Sequence, residues 1–188
     1  SGVGISLALY SNDNTIVNST GSSGSQVGIY LESGSSRNTI SNSAGTSVSN
    51  YGINLYSNCN NNTITNSNAT STSNQGLYLF QSSNNIIAGI NASSSAMYGV
   101  FLYSSSYNTV ANSTLSSNSS NALYINTGAN YNTLSNNTLI SRNGAGTLAY
   151  IKSTATGNVF YLNNFTNTSS YYVNDSGTGT KLNTTISG

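Results

Sequence analysis

The amino-acid sequence predicts an all-β protein: a single-stranded right-handed parallel β-helix of about seven to eight coils, roughly 24 residues and three short strands in each. Three observations predict it: a motif pair that returns at a fixed period, apolar residues that alternate in steps of two within it, and an Asn at the same place in each copy. Gly28-Ile29-Tyr30-Leu31 is followed by Asn38-Thr39-Ile40. The pair also occurs as Gly4-Ile5-Ser6-Leu7 with Asn14-Thr15-Ile16, and as Gly52-Ile53-Asn54-Leu55 with Asn62-Thr63-Ile64. Gly76-Leu77-Tyr78-Leu79 pairs with Asn85-Ile86-Ile87, and Gly99-Val100-Phe101-Leu102 with Asn108-Thr109-Val110. Two weaker copies follow, Ala122-Leu123-Tyr124-Ile125 with Asn132-Thr133-Leu134, and Leu148-Ala149-Tyr150-Ile151 with Asn158-Val159-Phe160. The Asn positions are 24, 24, 23, 23, 24 and 26 residues apart. A period of this size marks units that cannot bury an apolar face alone and so must stack.

Each coil element follows from the pattern. Alternation places Ile5/Leu7, Ile29/Leu31, Ile53/Leu55, Leu77/Leu79, Val100/Leu102, Leu123/Ile125 and Ala149/Ile151 inward on a first strand. Ile16, Ile40, Ile64, Ile87, Val110, Leu134 and Phe160 form a second inward column. Gly21, Gly45, Ala69, Ala92, Leu115, Leu139 and Phe165 form a third, and its growth in size predicts a cross-section that widens toward the C-terminus. Residues 1–188 read as one β-helix domain, with a degenerate last coil over 166–188.

Asn is suited to the corners, because it tolerates left-handed backbone and its amide can bond to the coil above. One amide ladder is expected along Asn14, Asn38, Asn62, Asn85, Asn108, Asn132 and Asn158. A second is expected along Asn18, Asn42, Asn66, Asn112 and Asn136, interrupted at Gly89.

Composition narrows the function classes. The chain has 188 residues, about half of them Ser, Thr or Asn, and a net charge of +1. That charge gives no electrostatic footprint for nucleic acid or anionic lipid, and no apolar run is long enough for membrane insertion. Periodic Ile, Leu and Val argue against disorder. One cysteine, Cys59, permits no internal disulfide, and its column (Ser11, Ser35, Ala129, Ala155) reads as small corner residues. Asn-x-Ser/Thr sequons head at Asn18, Asn61, Asn68, Asn91, Asn112, Asn118, Asn136, Asn164, Asn167, Asn174 and Asn183. They favour an extracellular or cell-surface address and glycosylation, although a chain this rich in Asn, Ser and Thr creates many by chance.

The repeat G-[IVL]-x-L-x-S…N-T-I-x-N, from Gly4 to about Phe165, resembles the parallel β-helix repeats of NosD-like proteins and of archaeal and bacterial surface proteins. The resemblance implies the fold. It leaves function open among polysaccharide lyases and hydrolases, surface proteins, phage fibres and copper-site maturation factors.

Chemistry is scarce. The carboxylates are Asp13, Glu32 and Asp175, and the columns of Asp13 and Glu32 are too far apart for a glycosidase pair. Asp13 shares a column with Arg37, which reads as an ion pair. Without His a Ser-His-Asp site cannot be assembled, and one Cys and one Met (Met97) cannot make up a zinc or copper site, so no catalytic residue, metal or cofactor is expected.

The outward rows of the first strand carry the aromatics: Tyr30, Tyr78, Phe101, Tyr124 and Tyr150 in one, Tyr56, Phe80 and Tyr103 in the next. Such rows brace neighbouring coils and also suit a contact face. Strands that start near Ser1 and run toward Gly188 without a cap suggest a piece of a longer solenoid or head-to-tail stacking of copies. The expectation is a non-catalytic extracellular structural glycoprotein that builds a filament or surface layer, its partners being copies of itself or adjoining solenoid. Rival expectations are a carbohydrate-binding, adhesin or viral-fibre module, a fragment of a polysaccharide lyase or hydrolase, and ice binding through the row Thr15, Thr39, Thr63, Thr109 and Thr133.

Overall fold

The computed structural model of the protein describes residues 2–142, 147–166 and 172–183. Among these, every strand lies in one of three parallel sheets and none is antiparallel. The first sheet has eight strands, from Ile5–Leu7 through Ile29–Glu32 to Val173–Asp175. The second has eight, from Thr15–Val17 to Lys181–Asn183, and the third has seven, from Thr20–Ser23 to Asn164–Thr166. Each strand pairs only with its equivalents one coil away, so the chain winds as a β-solenoid. Ile16, Ile40, Ile64 and Ile87 stand in one register column.

Why these residues wind this way is visible in the burial. The inward columns are almost completely buried from the second coil onward, including Ile29, Leu31, Ile40, Ile53, Leu55 and Ile64. The third sheet lies very close to the start of the first in the early coils. A Cβ on Gly45 would sit 2.4 Å from the Gly52 carbonyl oxygen and 2.6 Å from Ile53 Cγ1, so only glycine fits. Later coils hold Leu139 and Phe165 in that column, and Ala122 and Leu148 in the column of Gly28, all buried. The core therefore accommodates larger side chains toward the C-terminal coils, as the sequence predicts.

Three corners close each coil, and among the described residues left-handed backbone sits at two of them. One column runs Asp13, Arg37, Asn61, Asn84, Tyr107 and Tyr131, with φ between 55° and 61°. Another runs Asn18, Asn42, Asn66, Asn112 and Asn136, with φ between 48° and 53° and Gly89 at 65°. Asn and Gly are the residues that adopt this conformation most readily.

Hydrogen-bond ladders tie the corners together. In the Asn14 column, the Asn38 backbone N–H donates to Asn62 Oδ1 at 2.8 Å and Asn38 Nδ2 donates to the same oxygen at 3.2 Å. Nδ2 also donates to the carbonyl of Ser11 on the preceding coil at 2.8 Å. Backbone donation to the next Asn Oδ1 recurs at every step from Asn14 to Asn158. The members from Asn38 onward are buried, so each amide satisfies backbone groups that water does not reach.

The second expected ladder is not where the sequence reading placed it. Asn18, Asn42, Asn66, Asn112 and Asn136 are exposed, and among the described residues their side chains do not bond to one another. Their role is conformational. The ladder runs one residue later: Ser19 N–H donates to Ser43 Oγ, Ser43 N–H to Ser67 Oγ, Ser113 N–H to Asn137 Oδ1 and Asn137 N–H to Asn163 Oδ1, at 3.0–3.1 Å. A further serine column, not anticipated, closes the third corner. Ser47 Oγ donates to the Gln26 carbonyl at 2.6 Å and accepts the Asn50 N–H at 2.9 Å, and Ser71 repeats this with Asn50 and Asn74.

Candidate functional site

Outward positions of the first sheet form the most distinctive surface. The register places Tyr30, Asn54, Tyr78, Phe101, Tyr124 and Tyr150 in one row. Glu32, Tyr56, Phe80 and Tyr103 continue in the next, with Asn126 and Lys152 following the same column into its corner turns. A parallel in-register sheet must bring equivalent side chains to about 4.8 Å, and the rings adopt that spacing. Tyr78–Phe101 and Phe101–Tyr124 are stacked with centroids 5.1 Å apart and interplanar angles of 9° and 18°. Tyr56–Phe80 and Phe80–Tyr103 are stacked at 4.8 and 5.4 Å. Tyr150 meets Tyr124 edge-on at 5.0 Å.

This stacking decides what the face can bind. Ring faces point along the solenoid axis and are covered by neighbouring rings, so the sheet presents mostly ring edges. A sugar that stacks flat on an aromatic ring finds few open faces here. The edges still leave a half-exposed apolar surface, with Tyr56 at 40% exposure. Two tyrosines that the strand pattern had not marked, Tyr51 and Tyr98, fold onto its flank, 4.9 Å from Tyr78 and Tyr124 respectively. Their signal in the sequence is weak, because their column also holds Val27, Gln75 and Asn121. Partial burial pushes the hydroxyls of Tyr30, Tyr51, Tyr78, Tyr98 and Tyr124 above the usual tyrosine range, and Glu32 beside Tyr30 adds to its shift.

Asn54 breaks the first row. It is only 3% exposed, and its Oδ1 has no hydrogen-bond partner among the described residues. It lines a cleft of about 190 Å³ together with Tyr30, Tyr51, Tyr56 and Tyr78. An acceptor left unpaired at this depth costs about 1–3 kcal/mol. Gln75 Oε1 is likewise buried and unpaired.

Elsewhere, Arg37 holds Asp13 in a bidentate pair, Nη2 to Oδ2 at 2.7 Å and Nε to Oδ1 at 2.8 Å. The guanidinium hydrogen bonds keep the carboxyl below its usual range. Cys59 is fully buried, and that burial raises its thiol pKa. Asp175 pairs in register with Ile151, far along the first sheet from Glu32. No three His, Cys, Asp or Glu residues form a metal-ligating group among the described residues, nor is any helix there long and apolar enough to cross a membrane. Of the sequon residues, Asn18, Asn61, Asn68, Asn91, Asn112, Asn118, Asn136 and Asn174 are exposed and Asn164 is half-buried. Asn167 lies outside the described residues, as does the side chain of Asn183.

Three in-register sheets and their corner ladders define a repeat protein of the parallel β-solenoid class. The chain belongs to the family described as "Right handed beta helix region", whose model matches residues 3–187. Among solved structures it is similar to the A-module of mannuronan C-5 epimerase AlgE4 from Azotobacter vinelandii, with 16% identity and a TM-score of 0.57. The match covers 94% of this chain and 65% of that one, so the chain spans just under two thirds of the epimerase module. A second match, HetL, a pentapeptide repeat protein from Nostoc sp. strain PCC 7120, has 12% identity and a TM-score of 0.24 over 93% of this chain and 86% of the other. That overlap carries no weight. No curated protein matches the chain.

Proposed function

We propose that this β-solenoid is a non-catalytic structural glycoprotein of the cell exterior, a subunit that assembles with its own kind into a filament or surface layer. The observation that carries this reading is the aromatic face: rings spanning successive coils, half-exposed, with charge only at the two ends of one row, Glu32 and Lys152. An uncharged, apolar-edged face favours contact with another apolar surface over a soluble charged substrate. Dispersed carboxylates support a non-catalytic role, because acid–base hydrolysis needs two within about 5–9.5 Å. Negative-stain electron microscopy of purified protein tests the proposal, with ordered filaments or sheets expected and dispersed particles under all conditions counting against it. Release of product from uronan or neutral polysaccharide would replace it with an enzymatic function.

Carbohydrate binding is the second reading, favoured by the Asn54 cleft, where the row of stacked rings is interrupted. A glycan array reads it directly, and binding that survives Tyr78→Ala and Tyr103→Ala would remove this face as the site.

A further inference from the structure

We propose that two copies of this chain dock through their aromatic sheets, face to face with solenoid axes antiparallel, so that each Tyr124 fills the Asn54 cleft of the other. The proposal rests on the self-assembly reading and names its geometry. Two observations meet in it. The first is charge. Glu32 and Lys152 occupy the same row, on the second and seventh coils, about 24 Å apart at roughly 4.8 Å per coil. A two-fold axis along the strand direction reverses the coil order but keeps each row above itself. Coil two then faces coil seven, three faces six, and four faces five, and Glu32 of each copy meets Lys152 of the other. A two-fold along the solenoid axis would instead leave both acids at one end and both lysines at the other.

The second observation is shape. Under the same operation Asn54 on the third coil faces Tyr124 on the sixth, and Asn126 on the sixth faces Tyr56 on the third. Each gap in the ring rows is thus opposite a ring. The remaining rings face rings: Tyr78 with Phe101, Phe80 with Tyr103, and Tyr30 with Tyr150. The Asn54 gap opens into the cleft walled by Tyr30, Tyr51, Tyr56 and Tyr78.

Size and charge set the strength. Six coils at about 4.8 Å and a strip about 20 Å wide bury roughly 1,200 Å² over both copies, the lower edge of specific interfaces. A net charge of +1 leaves little long-range repulsion between copies. A reversible dimer is expected, with a dissociation constant in the micromolar range that weakens as salt screens the two ion pairs.

Sedimentation velocity on the whole chain, from low micromolar to near-millimolar concentration, tests it. Glu32→Lys and Lys152→Glu should each weaken dimerisation about tenfold or more, because the symmetry makes each change act twice. The double exchange, Glu32→Lys with Lys152→Glu, should restore it. Asn54→Tyr, which occupies the cleft, should abolish it, with unchanged circular dichroism and a melting temperature no lower than that of the wild type showing that the fold persists. A monomer at all concentrations overturns the proposal, as does a dimer indifferent to the single charge reversals or one not restored by the double. Filaments that form from Glu32→Lys protein unable to dimerise would leave coil-end assembly standing and remove this interface alone.

Discussion

Asn108 in the amide ladder offers the sharpest test of what holds the coils together. Its Oδ1 accepts the Asn85 backbone N–H at 2.9 Å and Asn85 Nδ2 at 3.1 Å, while its own Nδ2 donates to the Ser82 carbonyl at 3.2 Å. The residue is 1% exposed. Asn108→Ala leaves the Asn85 amide and the Ser82 carbonyl without these partners in a place water does not reach. At about 1–3 kcal/mol per unsatisfied buried group, the two backbone groups alone, the Asn85 N–H and the Ser82 carbonyl, cost about 2–6 kcal/mol. Asn112, four residues on, provides the control. It is exposed with φ 51°, so Asn112→Gly should change stability by less than about 0.5 kcal/mol, and Asn112→Ala should cost about 1–2 kcal/mol. Urea denaturation measures these differences. Because coils can open one at a time, native-state hydrogen exchange at the Asn85 amide should accompany it. An Asn108→Ala protein within 1 kcal/mol of wild type, with the Asn85 amide still protected, would refute the ladder argument.

The partly buried tyrosines have folded-state pKa values raised above 10, so the stability they confer is complete below pH 10 and is lost as pH climbs through the raised values. Tyrosinate absorbance should show these five phenols ionising only above the ordinary tyrosine range, together with loss of β-structure. Asp13 works in the opposite direction. Its depressed pKa adds stability that is present above the ordinary carboxylate value of 3.8 and lost as pH falls below it, so a carboxylate NMR titration should move toward 3.8 in Arg37→Ala. Cys59, fully buried with a raised thiol pKa, should react with a disulfide reagent only as fast as the coil opens, and a native-state rate matching that of an exposed thiol would contradict its placement. Gly45→Ala should cost about 1–3 kcal/mol through the clash with the Gly52 carbonyl, measured by the urea midpoint.

The coil could be read from residue spacing because its determinants are local and repeat. Ile16, Ile40 and Ile64 have to share a column if a 24-residue period is to bury them, and the Asn14 column has no other reason to recur. The Asn18 column recurs at the same period, broken only at Gly89 before Asn112 and Asn136, yet periodicity cannot separate an Asn that bonds to its neighbour from one that supplies a left-handed backbone. The bonding position belonged to Ser19, Ser43 and Ser67. The Ser47 and Ser71 column is not legible in the sequence because serine is so abundant in this chain that one more serine every coil carries little information. On the candidate face, alternation identified which rings point outward. It did not reveal that they stack edge-out, nor that Tyr51 leans in and buries Asn54, since both depend on side-chain rotamers set by neighbours one coil away.

The Asn38 bonding pattern has a genealogical corollary. Along the Asn14 column each rung meets only the rung before and the rung after, through the same backbone N–H and side-chain oxygen, so a tandem duplication of one period can extend the stack. Lineages carrying this design can lengthen or shorten by whole turns without inventing a new contact. Length is then a trait selection can adjust separately from the surface each turn displays.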